Sequence, residues 1–183
     1  MEGPSDKIFF ESEQFRNYLK ELTINFIPEV INANGNGNLL PKNINEFTES
    51  LIAKGATHIF IITDLDADKC VTLTKERIKP LAIHKCIVVK KDIEAWFLAD
   101  SKTMSLFLGK QNFVCENPES IINPFNEIHR LKMEYQSKGI GTHKIRLANM
   151  LVNLGLSFQN ILKHNNATSV NYFNSKLKEI SHS

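Results

Sequence analysis

The sequence predicts an α/β protein in which helices flank a parallel sheet and a mostly helical part follows. Residues 57–63 (THIFIIT) and 85–90 (KCIVVK) are short, β-branched and almost wholly apolar, as strands buried on both faces are. Helical periodicity fills the chain between and after them, a pattern typical of parallel β-α units. Strand signals fade beyond residue 109, where helical patterns continue.

The remaining elements follow from spacing and turn chemistry. Residues 5–22 are predicted to be a helix with Ser5 as its N-cap, and the apolar segment 23–31 a strand. The Asn/Gly stretch 32–38 predicts a turn, because its Gly35-x-Gly37 lacks the further residues of a phosphate-binding loop. Further helices are predicted over residues 43–54, 71–80, 93–108, 125–136, 143–154 and 169–180.

The composition excludes several classes of protein. With 42% hydrophobic and 23% charged residues, the chain is neither disordered nor a disulfide scaffold. No apolar run approaches the roughly 20 residues that span a bilayer, and the sequence shows no signal peptide. Three cysteines without a C-x-x-C pair argue against a zinc site or a disulfide set. We therefore expect a cytoplasmic protein.

The charge is distributed unevenly along the chain. Residues 1–100 carry 12 Lys and Arg against 15 Asp and Glu, a balance of −3, whereas residues 101–183 carry 10 against 5, a balance of +5. This split indicates different roles for the two halves. We expect a core over 1–108 and a helical, basic carboxy-terminal extension, 109–183, packed on it.

Three aspartates, Asp64, Asp66 and Asp68, follow the first clear strand. In a parallel sheet, ligands bind at the carboxyl ends of the strands, and carboxylates without nearby His or Cys suit Mg²⁺ or Mn²⁺. The alternative is an acidic turn whose side chains cap the next helix. An EF-hand is excluded, because Lys69 and Lys75 stand where its loop needs glycine and glutamate.

Two further acids are predicted to reach the same edge. Glu2 precedes the first helix, and Glu94 follows the second clear strand, so acids from separate strand ends would converge on one site. Lys90 and Lys91 lie beside Glu94 and would contact a phosphate, or else simply form a solvated strand end.

Three motifs in this order, EGPSD (2–6), IFIITDLDAD (59–68) and KKDIEAWFLAD (90–100), resemble a Toprim domain. That metal-binding fold is shared by type IA and type II topoisomerases, bacterial primases and nucleases of the overcoming-lysogenization-defect class. The last motif is most similar to small stand-alone prokaryotic Toprim-like proteins of unassigned function that are often associated with phage defence. The resemblance covers residues 2–108.

The resemblance implies a role for each matching acid. Glu2 matches the Toprim glutamate, a metal ligand or general acid/base, and Asp64 and Asp66 match the Asp-x-Asp pair that holds Mg²⁺. Asp68 extends that pair, and Glu94 matches an acid that helps to bind a second metal in the nuclease branch. Two such ions clamp the attacking and leaving oxygens of a phosphoryl displacement.

The sequence departs from the Toprim pattern at its beginning. In Toprim domains a buried strand precedes the Glu-Gly motif, whereas only Met1 precedes Glu2 here. The first strand is thus missing or truncated, through a start codon placed too far downstream, a truncated chain or a rebuilt sheet. We favour the downstream start, because a missing central strand would expose unpaired backbone.

A basic segment, 129–146, is predicted to contact nucleic acid. Its sequence, HRLKMEYQSKGIGTHKIR, contains two glycines and a single acid, a composition that suits phosphate-backbone contacts. A solvated loop followed by an ordinary helix is the alternative. The basic residues concerned are Arg130, Lys132, Lys138, Lys144 and Arg146.

These observations predict a Mg²⁺-dependent enzyme of nucleic-acid phosphodiester chemistry, most simply a nuclease, with a role in phage defence. The alternative is a non-catalytic Toprim-like module that acts with a partner ATPase, since the sequence contains no Walker motif of its own. A third reading, a small-molecule phosphotransferase or phosphatase, lacks the expected second-motif Ser/Thr and lysine.

Overall fold

A computed structural model describes residues 1–65, 68–137 and 139–181. Within them, the sheet consists of two parallel strands, β1 (Ile59–Asp64) and β2 (His84–Val89). The register runs from Ile59 opposite His84 to Asp64 opposite Val89. Helices flank the sheet, so the α/β prediction is confirmed, and both strands lie within two residues of their predicted positions.

Ten α-helices are present in the described residues, together with short 3₁₀ turns at Asn36–Leu39 and Pro118–Ser120. The chain beyond β2 is helical, as predicted. The helices are α1 (Pro4–Phe10), α2 (Glu13–Glu21), α3 (Pro41–Ala53), α4 (Val71–Ile78), α5 (Ile93–Ala99), α6 (Ser101–Leu108), α7 (Pro124–Gln136), α8 (Lys144–Asn153), α9 (Phe158–Ile161) and α10 (Thr168–Ser181).

The predicted first helix is in fact two helices. The first ends at Phe10 with Glu11 as its C-cap, and Ser12 caps the second, because its Oγ accepts a hydrogen bond from the Phe15 N–H at 3.3 Å. The prediction of Ser5 as N-cap is wrong: Gly3 takes that position, and its N–H bonds to Asp6 Oδ2 at 3.1 Å. Asp100 divides the predicted helix 93–108 in the same way.

The predicted strand over 23–31 is wrong, since this segment forms no strand. Pro28 lacks a backbone donor, and the N–H of Val30 bonds to a side chain, Glu11 Oε1, at 3.2 Å. Ile24 and Phe26 instead pack against the main core. Burial of apolar side chains thus accounts for the hydrophobicity that suggested a strand.

One main core fixes the helices that surround the sheet. It joins aromatic rings from both sequence halves: Trp96 stacks on Phe173 at 6.0 Å, and Phe9 and Phe158 also contact Trp96. Burial of so many large rings holds α1 and α5 firmly in place. None of the described helices is long and apolar enough to cross a lipid bilayer.

Candidate functional site

A cleft of about 440 Å³ lies where β1 and α5 meet α1 and α8. The carboxyl end of β1 contributes Asp64, α1 and the residues before it contribute Glu2 and Asp6, and α5 contributes Glu94. Thr142, His143, Lys144 and Ile145 form the facing wall. The fold thus gathers acids from three separate stretches of sequence at one edge of the sheet.

Glu2 is tied directly to the end of β1. Its Oε1 accepts a hydrogen bond from the Asp64 N–H at 3.0 Å and another from the Thr63 hydroxyl. The carboxylate therefore occupies the position at which a neighbouring strand would accept that N–H. Sequence reasoning placed Glu2 and Asp64 at one site, and the structure brings them together.

Glu94 is fully buried at the beginning of α5 and is only partly hydrogen-bonded. Its Oε2 accepts a hydrogen bond from Lys144 Nζ at 2.8 Å, whereas its Oε1 has no partner in the described residues. Asp92 repeats the pattern, since Oδ2 accepts from Lys144 at 3.2 Å and the buried Oδ1 has no partner there. Unpaired buried oxygens of this kind are rare and need an explanation.

Two acids of this cluster, Asp6 and Asp92, were not among the predicted site residues. Asp6 is 6% exposed and lies about one helical turn after Glu2. The motif EGPSD contained a signal, because an acid three residues after an N-cap commonly accepts a hydrogen bond from the N-cap N–H, as Asp6 does from Gly3. The link from Lys144 to Asp92 and Glu94 spans some fifty residues, and no local pattern reveals it.

The acids raise one another's pKa. Burial, and then the charges of Asp6, Glu2, Asp92 and Glu94, raise the pKa of Asp64 well above its usual value. Burial is also the main cause of the raised pKa of Asp6. For Glu94, burial and the charge of Asp92 outweigh Lys144 and raise the pKa to about 7. Charging the whole cluster therefore costs free energy unless a cation enters.

Lys144 is the cation that the cluster already contains. Burial lowers the pKa of Lys144, but Glu94 and Asp92 outweigh that effect and raise it above the ordinary value. Its side chain remains 44% exposed, so the ammonium reaches the cluster from the solvent side. One lysine beside five carboxylates leaves the cleft strongly acidic.

Other predicted site residues lie elsewhere or are otherwise engaged. Asp68 accepts hydrogen bonds from Thr74 and Arg77 and does not line the cleft; these contacts lower its pKa. Both donors are side chains of α4, and no described side chain caps α4, so Asp68 is not the helix cap that the alternative predicted. Asp66 and Lys138 lie outside the described residues, so their predicted roles stay predictions.

Three of the predicted basic residues are held by neighbours. Lys90 donates to Thr168 at 2.6 Å and lies 3.7 Å from Glu119. Arg130 pairs with Glu127 and Glu134 on its own helix. Lys132 is buried, and its ammonium donates to the Phe107 carbonyl and lies over that residue's ring.

Lys91 and Arg146 differ from these three, since neither forms an ion pair within the described part of the chain. Arg146 is exposed near the beginning of α8, and Lys91 is half-buried directly before Asp92. Both belong to segments that line or adjoin the cleft. They are therefore the predicted phosphate-binding residues whose charge is available.

The carboxylate oxygens of the cleft are chemically suited to bind a hard divalent cation. Carboxylate oxygens are the ligands that Mg²⁺ and Mn²⁺ prefer, and two buried ones lack partners. The described residues contain no group of three or more His, Cys, Asp or Glu side chains already placed to hold one metal ion. Such a cation would have to draw the acids closer together or recruit Asp66.

Searches against protein-family models, curated proteins and solved structures found no match to this chain.

Proposed function

We propose that this chain is a Toprim-like, Mg²⁺- or Mn²⁺-dependent enzyme that hydrolyses phosphodiester bonds of nucleic acid. The observation that carries the proposal is the buried, unpaired carboxylate oxygen of Glu94, which lines the acidic cleft, together with that of Asp92, which shares the partner Lys144 with Glu94. Stability alone does not account for these groups, because an unsatisfied buried oxygen costs about 1–3 kcal/mol. A cation that enters the cleft would offset this cost.

Glu2, Asp64, Asp66 and Glu94 are the residues that would hold the cation, with Asp6 and Asp92 beside them. A bound divalent cation polarises a phosphoryl oxygen and lowers the pKa of bound water. The chain's own contribution is positional: the Glu2 carboxylate is fixed by Thr63 and Asp64, and Glu94 by the packed helix α5. Carboxylates that the surrounding structure holds rigidly favour a precise cation-binding geometry.

The nucleic acid would be held by the exposed basic residues beside the cleft. Arg146 and Lys91 have charge to offer, whereas Lys90, Arg130 and Lys132 have partners already. Changing Arg146 to Ala should weaken binding of any sequence and reduce the slope of log K against log salt by about 1. Arg130→Ala is the matched control and should leave the slope unchanged.

Calorimetry with Mn²⁺ and cleavage assays on single-stranded DNA, duplex DNA and RNA test the proposal. Asp64→Asn should abolish cation binding and reduce cleavage at least about 100-fold. Asp68→Asn makes the same chemical change four residues later in the chain but outside the cleft, so it should retain both. Failure of the wild-type chain to bind Mg²⁺ or Mn²⁺ would contradict the proposal.

The same assays separate the second candidate, a non-catalytic module that acts with a partner ATPase. The observation in its favour is that most of the predicted basic residues are engaged in internal contacts, which leaves little free charge for a polyanion. In that case the chain would bind the cation through Asp64 and cleave none of the three substrates.

A further inference from the structure

Lys144 belongs to the wall of the cleft that faces the acids. It is the first residue of α8, and its ammonium donates to Glu94 Oε2 at 2.8 Å and to Asp92 Oδ2 at 3.2 Å. Each carboxylate therefore uses one oxygen for this contact, while its other oxygen is buried without a partner in the described residues. The ammonium thus satisfies only half of the hydrogen-bonding capacity of the two acids.

The position of Lys144 allows its side chain to leave these contacts without any change in the fold. The backbone of α8 is fixed, because Leu147, Ala148 and Leu151 on the same helix are fully buried. The lysine side chain itself is a flexible four-carbon stem that is 44% exposed. Rotation of this stem alone would carry the ammonium into water while α8 stays in place.

A divalent cation at the unpaired oxygen of Glu94 would meet this ammonium. Both oxygens belong to one carboxylate, so a cation at Oε1 would lie beside the ammonium that holds Oε2. Like charges that close together in a buried site repel each other strongly. The ammonium has an alternative partner, which is water, whereas the buried carboxylate oxygens do not.

We propose that Lys144 is a tethered counter-ion that a divalent cation displaces from Asp92 and Glu94. The inference rests on the proposed cation site and describes how that site is neutralised before the cation arrives. Without the cation, the ammonium offsets part of the repulsion among the acids, so the chain can fold around a charged cleft. When the cation binds, the ammonium moves into solvent.

The alternative is that Lys144 positions the two acids for the cation and stays on them. The two roles predict opposite effects when the ammonium is removed. Loss of a positioning lysine would weaken cation binding, because the acids would lose their orientation. Loss of a competing ammonium would strengthen cation binding, because the cation would no longer have to displace a like charge.

Calorimetric titration with Mn²⁺ distinguishes the two roles. We expect the dissociation constant of Lys144→Met to be at least about 10-fold lower than that of the wild type, because the competing charge is gone. Lys7→Met is the matched control, since Lys7 is 42% exposed and adjoins Asp6 in sequence but pairs with Glu11. Its removal should change the dissociation constant by less than about twofold.

Chemical labelling of the wild-type chain follows the ammonium directly. Acylation of Lys144 by an amine-reactive reagent, measured by peptide mass spectrometry, should rise at least about twofold with Mg²⁺, because the freed stem extends into water. Lys7 in the same sample is the internal reference. Asp64→Asn should show no rise, because it lacks the cation. This measurement does not depend on whether Lys144→Met folds.

Unchanged or weaker Mn²⁺ binding in Lys144→Met would overturn the proposal. So would labelling of Lys144 that Mg²⁺ leaves unchanged, because the ammonium would then have stayed on the acids. Either result leaves the proposed function intact, since the wild-type chain still binds the cation. A wild-type chain that binds neither ion would contradict the proposed function and the displacement together.

Discussion

Glu94, in α5, and Asp100, the N-cap of α6, are both fully buried acids, but they differ in how completely their carboxylate oxygens are hydrogen-bonded. Both oxygens of Asp100 are satisfied: Oδ1 accepts from the Thr103 N–H at 2.9 Å, and Oδ2 accepts from the Thr103 hydroxyl and the Ser157 N–H. Glu94 has one partner, Lys144, on one oxygen. Asp100 is a cap that joins α6 to the beginning of α9.

The difference distinguishes Asp100, whose hydrogen bonds stabilise the fold, from Glu94, which the fold keeps buried at a cost in stability. A carboxylate with several backbone donors stabilises the folded state because its charge is solvated by the protein. A carboxylate left half-satisfied destabilises it and persists where function requires an open coordination position. Burial alone would not distinguish the two, since each is 0% exposed.

The largest effect on stability is expected at Asp100. Asp100→Ala would leave the N–H groups of Thr103 and Ser157 without their acceptor, and we expect a loss of about 4 kcal/mol in the free energy of unfolding. Urea denaturation followed by circular dichroism measures it. We expect no such loss for Glu94→Gln, because Glu94 has only one hydrogen-bond partner. An equal loss in both variants would show that the two acids contribute equally to stability.

The pH dependence of stability should report the titration of Glu94. Glu94 has a pKa of about 7 in the folded state, so the folded state binds this proton more tightly than the unfolded state does. Without divalent cations, the free energy of unfolding should therefore fall as the pH rises from about 4.5 to 7. The raised pKa values of Asp6 and Asp64 act in the same direction. The Glu94 contribution is at most about 3 kcal/mol.

Glu94→Gln should flatten this pH dependence, because glutamine does not titrate. Thermal unfolding of the variant and the wild type between pH 4.5 and 8, in the presence of EDTA, measures the change. A wild-type stability that rises over this range would contradict the assigned direction.

Divalent cations should stabilise the acidic cleft by a somewhat smaller amount. A cation at one hundred times its dissociation constant adds about 2.7 kcal/mol. In thermal unfolding with Mn²⁺ we expect this gain in the wild type and in Asp68→Asn, and its loss in Asp64→Asn. Equal stabilisation of all three proteins would place the cation outside the cleft.

The smallest effect on stability is expected for Arg130, an exposed residue whose ion pairs lie on the protein surface. Arg130→Ala removes the ion pairs to Glu127 and Glu134, but the side chains are 28–58% exposed. Pairs of this kind contribute at most about 1 kcal/mol. A loss above that value in urea denaturation would show that Arg130 contributes more than a surface ion pair.

The two strands of the sheet could be predicted from the sequence, whereas the helix breaks and the irregular backbone of the apolar segment 23–31 could not. Residues 59–63 and 86–89 are almost all apolar and rich in β-branched side chains, which leaves few alternatives. Ser12 and Asp100 look like ordinary polar positions within longer helical patterns, and only the hydrogen bonds to Phe15 and Thr103 identify them as caps. Local propensity does not contain that information.

The site was predictable where strand ends define it. Asp64 and Glu94 lie at strand ends that the strand pattern locates, Glu2 was identified through the EGPSD motif, and all three line the cleft. The partner of Glu94 depends on how α8 packs across α5, so Lys144 was expected to contact phosphate and was found beside carboxylates. The side chain of Lys132 was likewise expected at the surface and is buried against Phe107.

Trp96 is the single tryptophan of the chain and can serve as an intrinsic fluorescence probe. It is fully buried, its indole N–H donates to Ser169 at 2.8 Å, and it lies two residues after Glu94 on the same helix. Its emission therefore comes from one defined environment adjoining the cleft. Titration of the unlabelled protein with Mn²⁺ can be followed through that one indole, without an attached dye.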